Sequence, residues 1–225
     1  MIAFQRIQRV LWFALAAVLA GCGGGPPPGR KAAPPPALAA PKPPPRPPVV
    51  GLIPLGPVEP DLLPLLAEEL GRFYGARVIR YQSLSLPEEA YYPPRNRYRA
   101  DILLAWLDRN RPPGCDHFLW VTAADISCTK GPYADWGIFG FGYMPGPSCV
   151  VSTFRLNRNT RSPDHFRERL VKVALHEVGH NLGLDHCPDK NCLMVDAEGT
   201  MAAVDREHKA LCAACRAKLA DSANR

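Results

Sequence analysis

Hydrophobic residues recur with helical spacing in two segments of the chain after residue 50. Leucines occupy five positions of residues 61–73, and Gly75 follows directly, which predicts an amphipathic helix that ends at that glycine. Residues 99–110 repeat the pattern and are followed by Pro112 and Pro113, which cannot continue a helix. We therefore expect one helix in each segment.

Short apolar runs lie between and after these segments. Residues 76–81 are rich in strand-forming side chains, and residues 117–123 are apolar almost throughout, which is typical of a central strand. Residues 137–143 and 149–156 predict a hairpin at the edge of the sheet. Because strands alternate with helices, we expect a partly parallel sheet flanked by helices.

A third helix is predicted to begin at residues 162–164, Ser-Pro-Asp, which supply a capping side chain, a proline in the first turn and an acid near the helix N-terminus. Apolar residues then recur every four positions, at Leu170, Ala174, Val178 and Leu182. His176 and His180 have the same spacing on the opposite side. We expect these two histidines to face a cleft and not the core.

The first 21 residues have the layout of a signal peptide. Arg6 and Arg9 precede an apolar run at 10–20 that is too short to span a bilayer. Residues 19–22, Leu-Ala-Gly-Cys, resemble the bacterial lipobox, in which cleavage precedes the cysteine and acyl chains are attached to it. This predicts an exported cell-envelope lipoprotein anchored through Cys22, in the outer membrane where the cell has one.

Two other interpretations of this N-terminal segment stay open. The apolar run could be a short buried helix in which the cysteine is incidental, or the protein could be cytosolic with a misassigned start. Under either interpretation, residues 1–21 are not an export signal.

Residues 22–50 predict a tether. After Cys22, the 28 residues contain twelve prolines, four glycines and five alanines, which cannot form a core and favour extended polyproline structure. At about 3.1 Å per residue, this segment could hold a domain roughly 80 Å from a membrane. The alternative is a proline-rich segment that a partner protein recognises.

Charge distribution bears on the remaining residues, 51–225. The first 50 residues hold six of the 27 basic side chains and no acidic one, which leaves 21 basic against 21 acidic residues in the rest. A balanced charge argues against a nucleic-acid-binding protein, because phosphate neutralisation needs an excess of cations. A segment of this length is sufficient for one domain with its own core.

Residues 176–186 carry the sequence His-Glu-x-x-His-x-x-Gly-x-x-His. His176 and His180, one helical turn apart, can bind one Zn²⁺; Gly183 lets the chain leave the helix, and His186 can return to the same ion. Three nitrogen ligands leave a position open for water, and Glu177 is placed to take a proton from that water. The pattern predicts a catalytic zinc site.

Four cysteines follow in two close pairs, Cys187 with Cys192 and Cys212 with Cys215, and Met194 lies between the pairs. Two pairs of thiolates match closed tetrahedral zinc coordination, with the second pair on one face of a C-terminal helix. A redox pair or a disulfide is the alternative for the second pair.

The whole pattern over residues 176–215 resembles the archaemetzincin signature, a branch of the metzincin zinc peptidases. The resemblance implies an α/β (α+β) metzincin-like zincin fold with a twisted mixed sheet, flanking helices, an active-site helix and a zinc-stapled C-terminal helix. It also implies two Zn²⁺ per chain and a peptide or protein substrate. It assigns the residues as follows: His176, His180 and His186 to a catalytic zinc, Glu177 as the base, Met194 as the Met-turn residue, and Cys187, Cys192, Cys212 and Cys215 to a structural zinc.

Two further expectations concern the middle of the chain. Residues 139–142 and 151–156 are weakly similar to the edge-strand region of the same family, and we expect a strand near 149–156 to pair with an extended substrate. Cys128 and Cys149 are the better candidates for a disulfide, since Cys115 and Cys128 flank one predicted strand; the alternative is that all three are buried thiols.

The sequence thus predicts a membrane-tethered zinc metallopeptidase. A non-proteolytic zinc- or peptide-binding lipoprotein on the same scaffold is the alternative. The presence of Glu177 argues against that alternative, because metal binding alone does not need an acid at this position.

Overall fold

The computed structural model of the protein describes residues 46–197 and 199–223, so the predicted signal peptide, Cys22 and most of the tether lie outside the described residues. The helices are α1 (Leu62–Tyr74), α2 (Ala100–Asn110), α3 (Thr153–Leu156), α4 (Pro163–Asn181), α5 (Met201–Arg206) and α6 (Ala213–Ala223). The strands are β1 (Val49–Leu55), β2 (Arg77–Arg80), β3 (Tyr91–Tyr92), β4 (Arg97–Arg99), β5 (His117–Thr122), β6 (Ile126–Lys130), β7 (Tyr133–Ile138), β8 (Gly140–Gly142) and β9 (Ser148–Ser152).

The larger sheet has five strands in the order β2-β1-β5-β9-β8. Its first four strands are parallel, and β8 runs antiparallel to β9 at the edge. Leu52 of β1 lies opposite Leu119 of β5, which in turn lies opposite Cys149 of β9. The predicted partly parallel sheet, its central strand at 117–123 and the helices at 61–73 and 99–110 are therefore confirmed.

Side chains of the parallel strands alternate between two cores, as the period of a strand requires. Leu119 and Val121 pack with α1 and α4 on one face. Phe118 and Trp120 pack on the other face with the leucines of α2. Helices thus cover both faces of this sheet, which explains why its strands are almost wholly apolar.

A second sheet of four strands, in the order β3-β4-β6-β7, was not predicted. Its strands are short and largely polar, and much of the surface of β7 is exposed. Only a few of its residues, such as Ile126 and Ile138, contact the core around α2. A sequence pattern with so little burial gives no strand signal.

The expected hairpin at the sheet edge is confirmed by the antiparallel pairing of β8 with β9, but the choice of residues 149–156 as the edge strand is wrong. β9 is not an edge strand, because it pairs with β5 on one side and with β8 on the other, and residues 153–156 turn into α3. Strand β9 is buried along its full length, which is typical of an interior strand. The edge strand of this hairpin is β8.

The expected Cys128–Cys149 disulfide is wrong. Both thiols are free, as is that of Cys115. Cys128 belongs to the smaller sheet, whereas Cys149 is fully buried in the core between the larger sheet and α4.

Within the described residues, no helix is long and apolar enough to cross a bilayer.

Candidate metal centre and active-site cleft

Helix α4 carries two of the three candidate histidine ligands, His176 and His180. The Ser162 side chain accepts a hydrogen bond from the backbone N–H of His165 and caps the helix, as predicted. The last two turns carry His176, Glu177 and His180. Gly183 has φ of 91°, a left-handed conformation that favours glycine, and it turns the chain back towards the helix end.

The three predicted histidine ligands converge. One nitrogen of each ring lies within 4.8 Å of the others. The Nε2 atoms of His176 and His180 are 3.0 Å apart, and the ring of His186 lies 4.8 Å from that of His180 between centroids. Gly183 therefore brings His186 back to the two helical histidines, as its position in the sequence predicts.

The hydrogen bonds of His176 and His180 show that this cluster suits a cation. The Nδ1 atom of His176 donates to the carbonyl oxygen of Leu193 at 2.8 Å, and that of His180 donates to Leu184 at 2.7 Å. A neutral imidazole has one N–H, so both Nε2 atoms present lone pairs to each other. Two lone pairs at that distance repel, and a shared Zn²⁺ removes the repulsion; tetrahedral Zn–N bonds imply nitrogen separations of about 3.3 Å.

Burial keeps these imidazoles neutral. It lowers the pKa of His176 to about 4, with a further contribution from His180, and burial also lowers the pKa of His180. Both rings are therefore unprotonated at neutral pH, which is the form that binds metal.

Glu177 lies beside the histidines, with its carboxylate against the edge strand β8. A Cβ atom at Gly140 would lie 2.5 Å from Oε1 of Glu177, so the absence of a side chain there makes room for the acid. Burial raises the pKa of Glu177 to about 8. A divalent cation on the adjacent histidines would favour the ionised carboxylate.

Met194 packs beneath the histidines. It is fully buried, and a Cβ atom at Gly179 would lie 2.7 Å from its Sδ and 2.8 Å from the hydroxyl of Tyr74. Gly179 therefore permits close contact between α4 and the turn that carries Met194. The role of Met194 as the Met-turn residue stays a prediction.

The four predicted thiolate ligands also converge. The Sγ atoms of Cys187, Cys192, Cys212 and Cys215 all lie within 4.8 Å of one another. The distance from Cys187 Sγ to Cys212 Sγ is 3.7 Å, close to the roughly 3.8 Å that tetrahedral Zn–S bonds imply. The backbone N–H of Cys215 lowers the pKa of Cys212 to about 7, which favours its thiolate. This donor set fits a closed zinc site.

A cavity of about 340 Å³ opens over the histidines and Glu177. Its walls come from both sheets, α4 and the segment after the Met194 turn, and they include Trp136 and Glu207. Sequence reasoning missed Glu207, because nothing local in the sequence indicates a buried acid in this cleft.

Asn181 is a second residue that sequence reasoning missed. Its Nδ2 donates to the carbonyl oxygens of Tyr143 and Ser148, both at 3.0 Å. It thereby fixes the loop between β8 and β9 to the end of α4. The partners lie more than 30 positions away in the chain, so no sequence spacing points to this role.

Comparison with known proteins decides the family. The model described as Peptidase family M54 matches residues 118–221. The archaemetzincin of Halobacterium salinarum is 31% identical over 174 residues, which cover 74% of this chain and 96% of that relative. The archaemetzincin of Methanopyrus kandleri is 33% identical over 159 residues, 71% of this chain and 86% of that relative. The chain belongs to the archaemetzincin family.

Crystal structures agree with this assignment. The archaemetzincin structure from Methanopyrus kandleri matches with a TM-score of 0.70 at 30% identity and covers 80% of this chain and 97% of that chain. The structure from Archaeoglobus fulgidus, complexed with malonate, matches with a TM-score of 0.65 at 31% identity and covers 76% and 99%. This archaemetzincin therefore has the predicted zincin-type fold and is a zinc metallopeptidase.

The contact between Gly179 and Met194 generates a prediction for this archaemetzincin. Gly179→Ala is expected to lower the free energy of unfolding by about 1–3 kcal/mol, because the added methyl group overlaps Met194 and Tyr74. Urea-induced unfolding of the zinc-loaded protein measures the change.

The matched control is Gly71→Ala in α1. A Cβ atom there makes only an ordinary contact, 3.5 Å from the carbonyl oxygen of Ala76. Since alanine is the better helix former, this variant is expected to be as stable as the wild type or up to about 1 kcal/mol more stable. Equal stability of the two variants would contradict the proposed close contact.

Proposed function

We propose that this archaemetzincin is a membrane-tethered peptidase that hydrolyses peptide bonds at the His176, His180 and His186 site, with Glu177 as the proton-transferring group. The observation that carries the proposal is the convergence of three imidazoles beside a buried carboxylate in an open cleft. A purely structural zinc site is closed by four protein ligands, whereas three leave room for substrate.

Zinc bound by the three histidines supplies a Lewis acid that polarises a carbonyl group and lowers the pKa of water. The backbone carbonyls of Leu193 and Leu184 orient His176 and His180 through their Nδ1 protons. The Glu177 carboxylate accepts a proton from the attacking water and passes it to the leaving amine. The walls of the cleft keep bulk water away from this carboxylate.

Strand β8 is proposed to position the substrate. Within the described residues it pairs on one side only, with β9, and Gly140, Phe141 and Gly142 line the cleft beside Glu177. An extended peptide can add to this edge through backbone hydrogen bonds. Its scissile carbonyl then lies next to the Glu177 carboxylate.

Replacement of the proposed base tests the peptidase mechanism. Glu177→Gln is expected to lower kcat on a peptide library by about 100- to 10,000-fold while zinc content stays unchanged, because the amide cannot accept the proton. Cleavage is followed by mass spectrometry. Glu168→Gln, an exposed acid on the same helix, is the control and keeps full activity.

The same digestion separates the two candidate functions. Cleavage by the wild type and not by Glu177→Gln supports the peptidase. Absence of cleavage by both proteins, or equal cleavage by both, contradicts the proposed mechanism; absence from both favours a zinc- or peptide-binding lipoprotein.

We further propose that the protein binds two Zn²⁺ per chain and that the sites are coupled. His186 and Cys187 are adjacent, and the backbone N–H of Cys187 donates to the carbonyl oxygen of Met194 at 2.7 Å. The turn carrying Met194 therefore links the thiolate cluster to the histidines.

Removal of two thiols tests this coupling. Cys212→Ser/Cys215→Ser is expected to lose the structural zinc and to bind the remaining zinc at least about tenfold more weakly, because His186 loses its support. Elemental analysis and chelator competition measure both effects, with Cys115→Ser as the control thiol variant. Unchanged affinity of the histidine site would refute the coupling.

The membrane tether is proposed from the sequence of residues 1–50 alone. In a bacterial host, radioactive palmitate is expected to label the full-length protein and to be lost in Cys22→Ser, because the acylated thiol is then absent. Cys115→Ser, which leaves the lipobox intact, is expected to keep the label. Label that persists in Cys22→Ser would rule out this anchor.

A further inference from the structure

Glu207 is a buried acid that the proposed mechanism does not use. It follows α5 directly, is only 4% exposed, and lines the same cavity as His176 and Glu177. Acids this deeply buried are rare unless a partner compensates the charge. Its position therefore calls for an explanation.

Among the described residues, no hydrogen bond or ion pair involves the carboxylate of Glu207; only its backbone N–H is bonded, to the carbonyl oxygen of Ala203 at 3.0 Å. Lys172 attracts it electrostatically, but the ammonium of Lys172 already contacts Glu168 at 2.8 Å and the carbonyl oxygen of Val204 at 3.2 Å. Burial raises the pKa of Glu207 to about 8. A carboxylate in this state is stabilised by any cation that enters the cavity.

The walls between the histidines and Glu207 are largely apolar. Val173 lies one turn before His176 on α4, and Val204 lies one turn before Glu207; both are buried and both line the cavity. Ala197 completes this lining. Apolar walls with an acid beyond them match a side chain that has an aliphatic stem and a cationic end.

Other charges of the cavity support the same chemistry. The lining includes three carboxylates, those of Glu177, Asp196 and Glu207, and one ammonium, that of Lys130. The Lys130 ammonium lies 5.7 Å from the centre of the Trp136 ring, where a cation–π contact holds it. Carboxyl groups therefore outnumber ammonium groups in the lining, and Glu207 is the one that lies beyond the apolar walls.

Glu207 is also held rigidly. Arg169 of α4, which is 3% exposed, donates two hydrogen bonds to Asp205 of α5, at 2.6 and 2.8 Å. This pair joins α5 to the helix that carries the histidines. The backbone that carries Glu207 thus keeps a fixed place relative to them, which a specificity pocket requires.

We propose that Glu207 forms the end of a specificity pocket that accepts the lysine or arginine side chain of a substrate residue adjoining the scissile bond. The pocket rests on the proposed function, because it belongs to the same cleft. It deepens that function by giving a substrate class: peptides with a basic residue next to the cleavage point. The aliphatic stem of the bound lysine or arginine side chain lies along Val173 and Val204, and its cation pairs with Glu207.

The test uses a series of quenched fluorescent peptides that differ only in the residues on either side of the scissile bond: lysine, arginine, norleucine or glutamate. The zinc-loaded wild type is expected to cleave the lysine and arginine peptides with kcat/KM at least about tenfold above that for norleucine. In Glu207→Gln this preference is expected to disappear, so that the lysine, arginine and norleucine peptides are cleaved with equal kcat/KM. Glu207→Asp is expected to keep part of the preference, and Asp164→Asn, which changes an exposed acid of α4 away from the cavity, is expected to keep all of it.

A wild type that cleaves norleucine and lysine peptides equally would overturn the pocket, and this result does not depend on whether any Glu207 variant folds. Retained lysine preference in Glu207→Gln would overturn it too. Zinc content and thermal unfolding verify that the variants are folded.

A binding measurement keeps the pocket separate from catalysis. Calorimetry with zinc-loaded Glu177→Gln is expected to give a Kd for the lysine peptide at least about tenfold below the Kd for the norleucine peptide. In Glu177→Gln/Glu207→Gln, the two peptides are expected to bind with equal Kd. If Glu177→Gln binds the lysine peptide preferentially but the wild type cleaves no peptide, the peptidase function is refuted and the pocket is supported. Absence of this binding preference would refute the pocket, whatever the wild type cleaves.

Discussion

Two nitrogen lone pairs that face each other across 3.0 Å, on His176 and His180, are the constraint on which the active-site region depends. Each ring is held in place because its other nitrogen donates to a backbone carbonyl, so neither can turn away to relieve the repulsion. A cation removes the conflict and gains a third nitrogen from His186. The regular spacing of α4 and the turn at Gly183 both serve this convergence.

Near the end of the chain, the fold likewise holds four potential metal ligands close together, the thiols of Cys187, Cys192, Cys212 and Cys215. Four Sγ atoms that approach each other this closely form a donor set that suits a metal ion, and binding of the ion would favour their thiolate forms. Because His186 and Cys187 are neighbours, the structural cluster and the catalytic histidines share one short segment. This adjacency is the basis of the proposed coupling, in which a closed four-ligand site supports an open three-ligand one.

The cleft is shaped by residues that lack side chains as much as by those that carry charge. Because Gly140 has no Cβ atom, the Glu177 carboxylate can lie against β8. Because Gly179 has none, Met194 can pack closely against α4. At the opposite end of the cavity, α5 is fixed to α4 and Glu207 follows α5 directly. The three histidines, Glu177 and the proposed specificity pocket therefore all depend on α4.

The sequence by itself determined the features that depend on local spacing. The ligand sets of residues 176–215 converge because a helical turn, one glycine and short cysteine intervals bring the atoms together, and α4 is capped at Ser162 as its sequence predicts. The central strand was evident because both its faces are buried. Tertiary structure alone decided the rest. Strand β9 became interior because it pairs with β5 as well as with β8, Cys128 and Cys149 were separated because they entered different sheets, and Glu207 reached the cleft through the packing of α5 on α4. These outcomes depend on contacts between residues far apart in the chain, which leave no periodic signal in the sequence.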